Sequence, residues 1–176
     1  MFNITDISEN LPISLQEGFS NSMREDFDYI LRSTRMGISH KAAKLVGTVL
    51  SDLFKPNSDG TFPKPPKDFG DDYCGSGSIS VMSSTGRTSP TNNDTLVAYC
   101  VDGDNLNSKL TKMLDAVRMN RFKNVFFLTS KWDVSAVTGN NIQRLQDLYE
   151  LRQNGVDFCF VLVSISGASR IPVILP

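Results

Sequence analysis

The stretch from Thr95 to Leu175 decides the fold. Within it, 95-TLVAYCVDGDN-105, 125-VFFLTSKWD-133 and 156-VDFCFVLVS-164 read as successive strands with helical segments between them. Leu96–Val101 and Val125–Ser130 each run apolar into a polar turn, and a pattern of helical period follows each. After the first turn, Leu110, Met113, Leu114 and Val117 fall at i, i+3, i+4 and i+7, one face of a helix that Asn107 can cap, with Asn105 as the alternative. After the second, Asn140 can open a helix with Ile142, Leu145, Leu148 and Tyr149 inward, and Gly155 suits the C′ position that ends it. Val156–Val163 is nearly all β-branched and aromatic, as in a strand covered on both faces. Ile171–Leu175 reads as a short last strand, placed at an edge by Pro172 and Pro176.

This alternation predicts an α/β or α+β domain: a sheet of about four to five strands with helices packed on it. Leu110, Val117, Leu145, Phe158, Phe160 and Val161 are its expected core. An N-terminal helical hairpin should precede the sheet. Its first helix, over residues 14–31, places Leu15, Phe19, Met23, Phe27, Ile30 and Leu31 on one face, with Ser14 and Glu17 as a capping box. Its second is capped by Ser39, buries Leu45, Val46, Val49, Leu50 and Leu53, and stops before Pro56. The chain therefore divides into residues 1–54 (hairpin), 55–94 (loop) and 95–176 (α/β core), one domain in all. The middle part is rich in Pro, Gly, Ser, Asn and Asp, and only Ile79–Met82 in it looks like a strand. Its run Phe62–Lys67 should be extended, as a stiff connector or as a docking segment through Pro63, Pro65 and Pro66.

Bulk composition excludes more than it selects. With 176 residues, 40% apolar and 21% charged, the chain can bury a core. Net charge is −1, so the total argues for neither nucleic acid nor an anionic membrane as partner. Basic residues nevertheless gather locally at Lys109, Lys112, Arg118, Arg121, Lys123 and Lys131, against one acid, Asp115. They form either a solvated helix face or a patch for phosphate or nucleic acid. Cys74, Cys100 and Cys159 show no CxxC spacing, and Cys100 and Cys159 lie in apolar runs. A reducing intracellular compartment is expected, with no disulfide framework and no zinc site. The first residues carry no basic and apolar pattern of a secretory signal, and no apolar run is long enough to span a bilayer.

Chemistry concentrates in the turns. Asp102 and Asp104 follow the first strand one residue apart, and Asp133 follows the second. If the strands are parallel neighbours, the three carboxylates can close on one crevice, with Asn105 as a neutral oxygen ligand. Such a set suits Mg²⁺ or Mn²⁺ and a phosphoester substrate. The alternative is turn and cap chemistry, for which Asp-Gly-Asp-Asn is equally well suited. His40, the lone histidine, sits beside a helix cap and reads as a surface residue, which removes His-based triads and most metal clusters. Gly75–Ser78 neither follows a strand nor opens a helix, so it lacks the geometry of a phosphate loop. Ser164–Arg170 follows a buried strand and reads as a polar turn or an anion nest. Trp132 is a candidate partner anchor if exposed, or packs over the sheet edge.

Two families share fragments of these turns. The run AYCVDGDNLNSKL resembles the first motif of NYN/PIN-type nucleases, in which an Asp ends the first strand and an Asn follows. It also resembles the opening DxD motif of haloacid-dehalogenase-type phosphatases, which implies Asp102 as nucleophile and Asp104 as acid/base. VFFLTSK resembles the second motif of those phosphatases, which implies Thr129 or Ser130 on the phosphate. The chain departs from both. Ile165-Ser166-Gly167-Ala168-Ser169 stands where the phosphatases have a late acidic pair, and no clear acid follows Asp104 in the helix as the nucleases require.

Two functions follow. One is a non-enzymatic intracellular interaction or assembly protein, for example one that self-associates in the manner of viral matrix or accessory proteins, with no cofactor and with a protein or a second copy as partner. The other is a divalent-metal-dependent nuclease or phosphatase using Asp102, Asp104 and Asp133, in which the Lys109–Lys131 segment can meet nucleic acid.

Overall fold

The computed structural model describes residues 26, 29–31, 36–54, 79–83, 93–101, 103–133, 142–164 and 167–171. Helix α1 (His40–Leu53) precedes a five-stranded sheet. Its strands are β1 (Ile79–Val81), β2 (Thr95–Cys100), β3 (Asn124–Thr129), β4 (Asp157–Ser164) and β5 (Gly167–Arg170). Helix α2 (Leu106–Met119) joins β2 to β3, and α3 (Ile142–Gln153) lies between β3 and β4. The strands stand in chain order, β1-β2-β3-β4-β5. The first four are parallel, and β5 returns antiparallel along β4. The fold is thus of α/β type with a mixed sheet.

Alternation along the strands splits the core into two layers. Val97, Tyr99 and Val101, Phe126 and Leu128, and Cys159, Val161 and Val163 share one buried cluster with Val46, Val49, Leu50 and Leu53 of α1. Leu96, Ala98 and Cys100, Val125 and Phe127, and Phe160 share the other with Leu110, Met113, Leu114 and Val117 of α2 and Leu148 of α3. Helices therefore cover both faces. Those following β2 and β3 lie on the same one, and the strand order does not reverse from β2 to β4. The crevice that opens where consecutive crossovers part to opposite faces is not generated between β2 and β3.

Local signals explain the helix ends. Ser39 caps α1, its Oγ accepting the Ala42 N–H at 3.1 Å. Helix α3 closes in a Schellman turn: the Val156 N–H donates to Leu151 O at 3.0 Å and the Gly155 N–H to Arg152 O at 3.1 Å. Gly155 takes φ +95°, which only glycine adopts without strain.

Several expectations need correction. The last described strand is Gly167–Arg170, which the sequence did not announce; of the strand expected at Ile171–Leu175 only Ile171 is among the described residues. The segment read as a polar turn or anion nest is in large part this strand, because small residues can line β4 once Ser164 pairs with Gly167. Ile171 extends the pairing, its N–H donating to Phe160 O at 2.8 Å. Helix α2 is capped by Asn105, not Asn107; the Asn105 side chain accepts the Ser108 N–H at 2.9 Å. Tyr149 points outward, 37% exposed, and Leu145 is half-buried; Leu148 carries the inward face of α3, with Leu151 packed beside it. Phe158 and Leu162 are half-buried too, so β4 is fully covered only on the α1 side. The strand expected at Ile79–Met82 is present as Ile79–Val81, wholly buried beside β2.

Other readings lie outside the described residues. These are nearly all of the helix over 14–31, the Pro63, Pro65 and Pro66 segment, Cys74, Gly75–Ser78, Asp102, residues 165–166, and Pro172 to Pro176. From the first helix, Ile30 is described and is buried in the α1-side cluster.

Candidate functional site

Parallel pairing of β2 with β3 sets Cys100 opposite Thr129 and brings their two exit turns together. The first turn is built around Asp104. Its N–H donates to Val101 O at 3.0 Å, and its Oδ2 accepts the Val101 N–H at 3.2 Å. Gly103, at φ +89°, supplies the left-handed residue the turn needs. Asn105 then caps α2, whose second turn carries Lys109 back over the same spot.

Lys109 is the unexpected member. Its Nζ lies 3.8 Å from Asp104 Oδ2, and both side chains are only 6% exposed. The ammonium also stands 5.1 Å above the centre of the Tyr99 ring, in cation–π range. A second ammonium arrives from the other turn: Lys131 Nζ donates to the Asp104 carbonyl oxygen. Thr129 is fully buried and closes its own turn, its hydroxyl accepting the Lys131 N–H at 3.1 Å and donating to the Lys131 carbonyl. The Ser130 N–H crosses to Cys100 O at 3.1 Å. The two turns are thus sewn together by backbone bonds and by Lys131.

Electrostatics follow from burial. The Tyr99 hydroxyl is pushed well above its ordinary range, first by burial and then by the Asp104 carboxylate. The Cys100 thiol is also raised, chiefly by burial, although the Lys131 ammonium opposes the shift. Both groups are held neutral, so neither is an activated nucleophile.

Of the sequence candidates, Asp104 is placed at the head of β2 with its carboxylate against Lys109. Asp133 is exposed beyond β3, and Asp102 lies outside the described residues. Among the described residues no group of three His, Cys, Asp or Glu side chains is arranged to hold a metal ion. Trp132 is half-buried, edge-on to Phe127 with ring centres 6.5 Å apart and tilted against Phe160 at 5.5 Å. Phe158 stacks on Phe160, ring centres 6.1 Å apart. Trp132 therefore packs on the sheet.

Three of the six basic residues are used within the fold, and Lys112, Arg121 and Lys123 are exposed. Lys109 and Lys131 serve the Asp104 turn. Arg118 reaches Asp147 of α3 at 2.7 Å and Asp115 at 3.4 Å. Lys109 is buried, so the reading of the segment as a solvated face fails at that position. Arg144 of α3 supplies a second tie between the helices, donating to Asn107 Oδ1 at 3.0 Å and to Thr111 Oγ1 at 2.9 Å.

Lys109 had a signal in the sequence. It lies three residues after Leu106 and four before Met113, on the apolar stripe of α2, where a charged residue needs a buried partner. No comparable signal joins Arg144 to α2, because that contact depends on how two helices cross.

No family model, no curated protein and no solved structure matches this chain. Among the described residues, no helix is long and apolar enough to cross a membrane.

Proposed function

We propose that this chain is a non-enzymatic interaction or assembly protein, of a kind that associates with itself. One observation carries the reading: the place where a divalent cation would stand beside Asp104 already holds the Lys109 ammonium. A carboxylate that accepts a turn N–H and faces a buried lysine acts as a structural pin. A lysine within 4 Å of that oxygen also raises the electrostatic cost of admitting a doubly charged ion. The strand order supports the same reading, because among the described elements β2 and β3 do not form a topological switch point, where such sheets receive substrates. Thr129, which the phosphatase resemblance would set on a phosphate, is bonded within its own turn.

Two assays test it. Sedimentation velocity over a wide concentration range should detect a species heavier than the monomer, and a monomer at every concentration would contradict the assembly reading. Hydrolysis of single-stranded RNA and of p-nitrophenyl phosphate with Mn²⁺ should stay at the level of the Asp104→Asn variant. Metal-dependent turnover that this substitution abolishes would instead establish the nuclease or phosphatase reading with Asp102, Asp104 and Asp133.

A further inference from the structure

Strand β5 ends the described sheet, and its pairing register fixes which backbone groups face away from it. Ile171 donates to Phe160 O, so Phe160 and Ile171 form a hydrogen-bonded pair. Antiparallel ladders alternate such pairs with non-bonded ones. Val161 with Arg170 and Val163 with Ala168 are therefore non-bonded pairs, and the N–H groups of Ala168 and Arg170 point away from β4. An outward N–H on an edge strand is a template for adding a further strand.

At Ala168 that template is occupied. The Asp26 carboxylate, more than 140 positions away in sequence, accepts the Ala168 N–H through Oδ2 at 3.2 Å. Ile30, four residues after Asp26 in sequence, is buried in the same cluster as Ala168, so apolar packing ties this part of the chain to β5. A carboxylate suits this position: it accepts hydrogen bonds and donates none, so it cannot continue a ladder.

We infer that Asp26 is an edge guard, an autoinhibitory contact that stops strand addition at β5. Its displacement exposes an edge complementary to itself. Two copies of β5 laid antiparallel about Ser169 would set Ala168 of each opposite Arg170 of the other, the two outward-facing positions. The contact that closes the edge is thus also the one whose release would let a second copy of the chain pair there. This holds whether or not the protein associates through any other surface.

The test compares Asp26→Ala with Asp26→Asn, whose amide oxygen can still accept the bond. Removing the acceptor should speed Ala168 amide exchange at least about tenfold, the effect of losing one charge-assisted bond at a locally opening edge, while Asp26→Asn stays nearer the wild type. Asp26→Ala should also gain a concentration-dependent dimer in sedimentation. Adding Arg170→Pro, which removes an outward N–H without touching the β4 ladder, should abolish that dimer. Unchanged Ala168 exchange in a folded Asp26→Ala variant would overturn the inference, as would failure of that variant to associate beyond the wild type. If Asp26→Ala does not fold, the wild type decides: an Ala168 amide exchanging as fast as the outward Arg170 amide refutes the guard, and slower exchange at Ala168 supports it.

Discussion

Lys109 and Asp104 form a nearly buried ion pair, and such pairs are costly to break from one side. Lys109→Met should destabilise the protein by about 3 kcal/mol, because it leaves the carboxylate with the Val101 N–H and little water. Adding Asp104→Asn should recover most of that loss. Urea melts of the two variants check this, and a loss under about 1 kcal/mol for Lys109→Met alone would show that the pair is solvated. Cys159 offers a second test at this scale. Burial lifts its thiol to about 11, so the fold favours the neutral form. That contribution, about 2–3 kcal/mol, is complete below the unfolded thiol's ordinary range near 8.5–9 and is lost as pH rises through 11. Stability should therefore fall between pH 9 and 11, and Cys159→Ala should flatten the slope. Part of the slope should remain, since Cys100 and Tyr99 are raised too. An identical slope in the variant would refute the assignment. Phe160 is 4% exposed and touches Phe127, Trp132 and Phe158. Truncation to Ala should cost roughly 3–5 kcal/mol, and a loss below about 1 kcal/mol would mean that β4 is misassigned.

Among the elements, caps and apolar stripes were legible in the sequence and edges were not. Ser39, Gly155 and the stripe Leu110, Met113, Leu114 and Val117 announce α1, α2 and α3 because their signals are local. The choice between Asn105 and Asn107 was not local: Asn107 is drawn into the first turn of α2 by Arg144. Asn105→Ala should cost about 1 kcal/mol as a lost N-cap. Asn107→Ala should cost clearly less, since its contacts are exposed; thermal melts that rank the two in the opposite order would return the cap to Asn107. Strand β5 was hidden for a different reason. Gly167, Ala168 and Ser169 have little strand propensity of their own, and what makes them a strand is the adjacent β4 edge. The branched apolar residues Ile171, Val173 and Ile174 drew the expected strand toward themselves instead.

At the scale of the molecule, strand–helix alternation gave the α/β or α+β class, but neither the parallel pairing of β2 with β3, which stood only as a condition, nor the direction of winding. That direction matters most for function. Three acids at strand ends suggest a metal site only if the chain leaves a crevice there. Among the described residues, strands in chain order with α2 and α3 on one face make no switch point between β2 and β3, and Lys109, placed by the first turns of α2, meets Asp104 instead. On the function proposed above, the turn that leaves β2 is structural and not a cation site. Thermal unfolding with added Mn²⁺, then with chelator, tests it most directly in the wild type and in Asp102→Asn. No metal-dependent change in Tm is expected for either protein; a chelator-reversible rise in the wild type that is absent from Asp102→Asn would make the turn a cation site.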